Sequence, residues 1–221
     1  MIQIENTDIV GWEHAIRGTR NAMNSWAKSD SSSELAGYCI GKNDHDLMMK
    51  LRNAGTDHRK FMRMITVYAD ITAPLYWWKE YDTYKVGTVA NSCSTMHKIH
   101  SKEFTLDDFS HEHLINDYDF DDKSGWKSEW FENLVITIDR LNCARERYLE
   151  TKDKKYWWQM IQLLPSSYNQ KRTVMLNYEV LANIYKSRKD HKLDEWRCFC
   201  DWIETLPYGE LITGEDNGDT V

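Results

Sequence analysis

No run of about 18 apolar residues occurs in the chain, so no segment is expected to cross a membrane as a helix. A dense lysine–arginine run is missing too, and the formal net charge is −7. Proteins held on nucleic acid by phosphate contacts carry a basic face, so nucleic-acid binding is not expected. A small anionic ligand needs only a local pocket of positive charge and stays compatible with this balance. The five cysteines (Cys39, Cys93, Cys143, Cys198 and Cys200) are odd in number and scattered. That pattern points to free thiols in a reducing, cytoplasmic setting. Residues 1–5 have neither a basic start nor an apolar stretch, so no secretory leader is expected. Internal repeats and low-complexity linkers are absent.

What the chain does have is a soluble globular composition, 41% hydrophobic and 29% charged over 221 residues. That length suits one domain with a sizeable core, or a domain completed by oligomerisation. Ten tryptophans and twelve tyrosines stand out. They supply core volume, or an aromatic surface for a subunit or a planar ligand.

Residues 2–4 read as a short strand, and Asp8 as the N-cap of a helix carrying Trp12, Ala15, Ile16, Thr19, Met23 and Trp26. A serine-rich loop covers 29–37, and a short helix stopped by Gly55 covers 44–54. Residues 64–71 are rich in β-branched side chains and make the best strand. Pro74 suits the first turn of a helix over 73–86, and a further helix is expected from about Asn91. The acidic stretch 107–122 reads as loop. Trp126, Trp130, Leu134, Ile138, Leu141 and Tyr148 mark a long helix, followed by an apolar stretch over 157–164 and helices over 173–189 and 193–205. Residues 214–221 read as an acidic disordered tail. The expected fold class is α+β: one domain over 1–213, a small sheet packed on long helices.

Several motifs fail on inspection. The stretch 37–42 is one residue short of a phosphate loop, and Asn43 stands where a magnesium-binding hydroxyl belongs. Asp117, Asp119 and Asp121 lack the glycine and the terminal glutamate of a calcium loop, with Asp122 and Ser128 in those places. His111, His113 and Asp117 form only a weak metal constellation, and no metal is expected. Cys198 and Cys200 are two apart on a helix, so they point apart.

The stretch 73–88 begins Ala73-Pro74-Leu75-Tyr76 and continues through Lys79, Glu80, Tyr84 and Lys85. Later come Leu164-Pro165, then Asn177, Leu181, Asn183, Ile184 and Arg188, then His191, Glu195 and Arg197 in gapless register. Together these resemble the flavin-dependent thymidylate synthases. In that family a reduced flavin transfers hydride during methylation of deoxyuridine monophosphate, with methylenetetrahydrofolate as carbon donor and NADPH as reductant. The resemblance implies FAD contacts from His58, Lys85, Asn177 and Asn183. It implies substrate contacts from Glu80, Thr88, Cys93, Ser94 and Arg188. It also implies a homotetramer with sites between subunits and NADPH and methylenetetrahydrofolate as further cofactors. No residue is assigned a catalytic role.

The signature is also rewritten. Thr83 and Tyr84 stand where the family has flavin-binding arginine and histidine, and Thr95 and Ile161 replace arginines that grip the nucleotide phosphate. Losing two charge-assisted contacts costs about 2–5 kcal/mol, thirtyfold or more in affinity. Two functions therefore stay open: a flavin-dependent one-carbon transferase on a pyrimidine nucleotide, and a catalytically degenerate protein of the same fold that binds a nucleotide-like ligand or a protein partner. Each residue also has a bland role. Asn177 and Asn183 suit a solvated helix face, Arg188 suits a helix C-terminus without any ligand, and Cys93 suits a buried structural thiol.

Overall fold

A computed structural model describes residues 1–35, 37–115 and 130–214. The calcium-loop-like aspartates Asp117, Asp119, Asp121 and Asp122, with Ser128, Trp126 and the expected tail from 215 on, lie outside them. In chain order the elements are β1 (Gln3–Val10), α1 (Trp12–Arg20), a hairpin of β2 (Ser32–Glu34) and β3 (Gly37–Cys39), α2 (Lys42–Asn53), β4 (Thr66–Pro74), α3 (Leu75–Tyr81), β5 (Val89–Ser92) and α4 (Thr95–Lys98). Then come α5 (Trp130–Thr151), α6 (Lys154–Leu163), β6 (Asn169–Asn177), α7 (Tyr178–Arg188), α8 (Asp194–Glu204) and α9 (Glu210–Thr213). The sheet runs in the order β1-β4-β6-β5. The α+β expectation, a small sheet with long helices, is met.

By contacts the chain divides into two compact units. The first holds Met1–Gln3, Thr72–Tyr81 and the described part of Ser92–Arg172; the second holds Ile4–Ile71, Asp82–Asn91 and the described residues from Thr173 onward. In the first, Leu134, Ile138, Leu141 and Ala144 recur at helical spacing along α5 and close a core with Met160, Ile99, Phe104 and Phe109. There α3 buries Trp77, Trp78 and Tyr81, and the Trp78 indole N–H donates to the Gln170 carbonyl at 2.9 Å. In the second, Trp12, Ala15 and Ile16 of α1 are buried, as are Leu181 and Ile184 of α7 and Trp196, Phe199 and Ile203 of α8.

Some local expectations are corrected. Asp8 lies inside β1, and α1 instead starts after Gly11, which is left-handed at φ 101°. A Cβ there would sit 2.0 Å from the Met64 carbonyl oxygen, so only glycine fits. Helix α1 stops at Arg20, leaving Met23 and Trp26 exposed. The serine-rich loop contains the hairpin, with Ser33 paired to Tyr38. Helix α3 ends at Tyr81 rather than at 86, where the buried stripe of Trp77, Trp78 and Tyr81 gives way to Asp82 and Thr83.

Two larger corrections concern strands. The helix expected from Asn91 is instead β5 plus the short α4, because Val89–Ser92 takes the sheet edge beside β6. The helix expected over 173–189 begins only at Tyr178; Gln170, Val174 and Leu176 are buried in strand β6, with more exposed residues between Val174 and Leu176 and after it. Finally, the N-terminus that a phosphate loop would offer is closed by this chain. The Asp30 carboxylate accepts from the backbone N–H groups of Asn43 at 2.9 Å and Asp44 at 3.1 Å.

Candidate functional site

Two groups of polar side chains account for the predicted site residues. One group surrounds α7 in the second unit. Asn177 ends β6 and caps α7, its side-chain oxygen accepting from the Val180 N–H at 3.0 Å. The turn after α3 packs on that amide: a Cβ on Gly87, left-handed at φ 77°, would lie 2.9 Å from Asn177 Nδ2. Asn177→Ala is expected to remove about 1 kcal/mol of stability, read as a shift in the urea unfolding midpoint.

At the other end of α7, half-buried Arg188 donates from Nε to the Tyr84 hydroxyl at 2.9 Å. Its guanidinium lies 4.7 Å from the Trp196 ring centroid and 5.7 Å from that of Tyr84. Tyr84 is thus engaged by Arg188, through a hydrogen bond and a cation–π contact suited to a guanidinium. Thr88 turns its hydroxyl onto the Tyr84 carbonyl. Lys85, His58 and Asn183 are exposed. Asn183 accepts from Arg59 Nη2 at 3.0 Å, and Arg59 lies 3.5 Å from Glu179, which also receives Arg63. The sequence reading missed Arg59, although it directly follows His58.

The second group lines a cavity of about 510 Å³ in the first unit. Cys93, Ser94 and Thr95 form one wall, Lys98 and Lys102 another, and Tyr168, Asn169 and Lys171 a third. Cys93 is exposed, not the buried thiol expected, and its backbone is held from both sides: its N–H donates to the Lys171 carbonyl at 2.9 Å, and its carbonyl accepts from Gln170 Nε2 at 2.8 Å. Ser94 caps α4 by accepting from the His97 N–H at 3.0 Å. Burial, then the negative charge of Asp108, push the Tyr168 phenol up, so it stays a proton donor near neutrality. Asn169 Oδ1 is enclosed without a hydrogen-bond partner, an acceptor that a ligand N–H would satisfy. Lys102 pairs with Asp108. Glu80 belongs to the same unit, half-buried on α3, but is not among the lining residues.

Ile161, at a family arginine position, packs on the apolar cluster of α5 and α6. It faces hydrocarbon and cannot contact a phosphate.

No protein-family model and no curated protein sequence matches the chain. Solved structures do. The flavin-dependent thymidylate synthase ThyX of Helicobacter pylori, complexed with FAD and dUMP, superposes with a TM-score of 0.67 at 15% identity, covering 96% of this chain and 98% of that one. The UMP/dUMP methylase PolB of Streptomyces cacaoi, bound with 5-Br UMP, gives 0.61 at 12% identity, covering 93% and 88%. The fold is that of ThyX.

The sequence reading missed the cavity's lysines. Lys98 and Lys102 follow Ser94 at intervals of four, a spacing visible in the sequence. Asn169 and Lys171 were hidden because β6 was not recognised as a strand. Among the described residues no group of three His, Cys, Asp or Glu side chains could hold a metal. His111 Nδ1 is engaged with the Phe109 carbonyl at 2.8 Å.

Proposed function

We propose that the chain binds a pyrimidine nucleotide such as deoxyuridine monophosphate in the cavity of the first unit and acts on it as a flavin-dependent one-carbon transferase. The observation that carries this reading is the lysine set of the cavity. Lys98, Lys102 and Lys171 outnumber Asp107 and Asp108 along the lining, with Lys102 paired to Asp108, in a chain that has threonine and isoleucine at two family arginine positions. A volume of about 510 Å³ lies within the usual range for small-molecule sites. The enclosed Asn169 oxygen and the Tyr168 phenol supply the acceptor and donor that a uracil edge requires. Cys93 and Ser94 stand beside them; Glu80 and Thr88, which the family resemblance assigns to substrate, are not among the lining residues.

FAD, when bound, supplies the hydride. His58, Lys85 and Asn183 are the exposed polar groups that would hold it, with Asn177 fixing the start of α7. Net methylation then draws its carbon from methylenetetrahydrofolate and its electrons from NADPH. The family precedent also makes a homotetramer the proposed assembly. Exposed Trp130, Ile136 and Trp158 on α5 and α6 support it, and analytical ultracentrifugation checks it.

The second reading, a degenerate member that binds a nucleotide or a protein partner without turnover, is favoured by Tyr84 and Ile161. One engages Arg188 and the other lies in the apolar cluster. The visible spectrum separates the two. Flavin bands after mixing with FAD, near one per chain after gel filtration, are expected for the enzyme, with turnover of deoxyuridine monophosphate in the presence of NADPH and methylenetetrahydrofolate. A protein that stays colourless overturns the enzyme reading and leaves the second.

A further inference from the structure

A smaller cavity lies wholly within the second unit. It holds about 150 Å³ and is lined by Arg52, Arg59, Lys186 and Lys189 around Tyr185 and Thr213. No Asp or Glu is among the described residues that line it. Four cations on so small a wall repel one another, and the repulsion is strongest where water is excluded.

The two arginines are fixed rather than mobile. Arg52 donates from Nε to the Leu211 carbonyl at 3.2 Å and from Nη2 to the Ile212 carbonyl at 3.0 Å. Arg59 is tied through Nη2 to Asn183 at 3.0 Å. Its Nε, shut away from solvent without a hydrogen bond, lies 3.5 Å from Glu179 Oε1, a carboxylate it shares with Arg63. Burial, and then the charge of Arg59, lower the proton affinity of Arg52, so its charge is disfavoured here even though Arg59 is paired with Glu179. A bound oxyanion removes that penalty, and planar N–H donors match its geometry.

We propose that this cavity is an anion site that takes the phosphate or diphosphate head of a small molecule. About 150 Å³ falls below the range of whole-ligand pockets, so the head enters and the remainder of the ligand stays outside. Lys186 and Lys189, both exposed at the rim, close over the anion, while Arg52 and Arg59 form the fixed floor. The inference uses none of the residues placed in the larger cavity; its Arg59 is tied to Asn183 of the flavin reading, so the test alters Lys186 and Lys189 instead.

Inorganic pyrophosphate titrated into the full-length protein by isothermal calorimetry tests it. Saturable binding of one ion per chain is expected, weakening as salt is raised. Lys186→Gln with Lys189→Gln changes only exposed side chains and is expected to weaken binding about tenfold or more. Lys152→Gln with Lys154→Gln removes two exposed lysines elsewhere and is expected to leave binding unchanged. Absence of saturable binding to the unaltered protein overturns the proposal. So does an equal loss from both lysine pairs, which would mark diffuse surface attraction.

Discussion

Asp44→Asn is expected to lower the unfolding free energy by about 3–5 kcal/mol near neutral pH, measured by urea denaturation. Asp44 is fully buried and Arg20 nearly so, 2.7 Å apart across the pair. The carboxylate also accepts from the hydroxyls of Ser29 at 2.6 Å and Ser31 at 2.7 Å, and from the backbone N–H groups of Asp30 and Ser31. Every neighbour is a donor. An amide at this position turns its NH₂ toward donors and leaves Arg20 a buried, uncompensated charge.

Burial alone would raise the Asp44 pKa. The hydrogen bonds from Ser29, Ser31, Arg20 and the Asp30 N–H outweigh it, and the group is held below its ordinary 3.8. A depressed carboxylate contributes stability that is complete above the unfolded value and is lost as pH falls through the folded one. The gap between the native protein and Asp44→Asn is therefore constant above about pH 4 and narrows below 3.8. A gap that persists unchanged into strong acid would show that the variant fails for reasons of packing, not charge. The network matters to the fold because it ties the loop before the hairpin to α2, where Asp30 also closes the helix N-terminus.

Helical periodicity over several turns was legible in the sequence: α5, α8 and the buried stripe of α1 lie where spacing placed them, and β4 announced itself through β-branched residues. What escaped were elements whose state is set by tertiary pairing. Strand β6 is followed by α7 with no loop between, so the residues from Thr173 to Arg188 read as one periodic segment. Only Asn177, a good cap with Glu179 in the first turn, marked the joint. Strand β5 is four residues of an edge, too short to carry a pattern. The site was legible to the same degree. Arg188, Asn177 and Asn183 stood out through their register with the flavin-dependent thymidylate synthases. Lys98 and Lys102 were visible in their spacing from Ser94, but their meeting with Asn169 and Lys171, and the basic cavity of Arg52 and Arg59, depend on residues brought together from distant segments, which spacing alone does not reveal.

Arg188→Ala is expected to cost about 2–4 kcal/mol of stability whether or not a ligand binds there. The variant loses a charge-assisted hydrogen bond to Tyr84 and a cation–π stack on Trp196, worth about 1.5–3 and 0.5–2 kcal/mol. Arg188→Lys keeps the charge but not the flat guanidinium, so it is expected to recover less than half of that loss. Stability therefore does not decide whether Arg188 also reaches a pyrimidine. Affinity does, provided it is measured on the folded fraction well below the unfolding midpoint. If deoxyuridine monophosphate binds both variants at least tenfold more weakly than the native chain, the arginine serves substrate as well as fold. If affinity is unchanged while stability falls, Arg188 is a structural tie between α7 and α8, and Tyr84 has taken its guanidinium out of the chemistry.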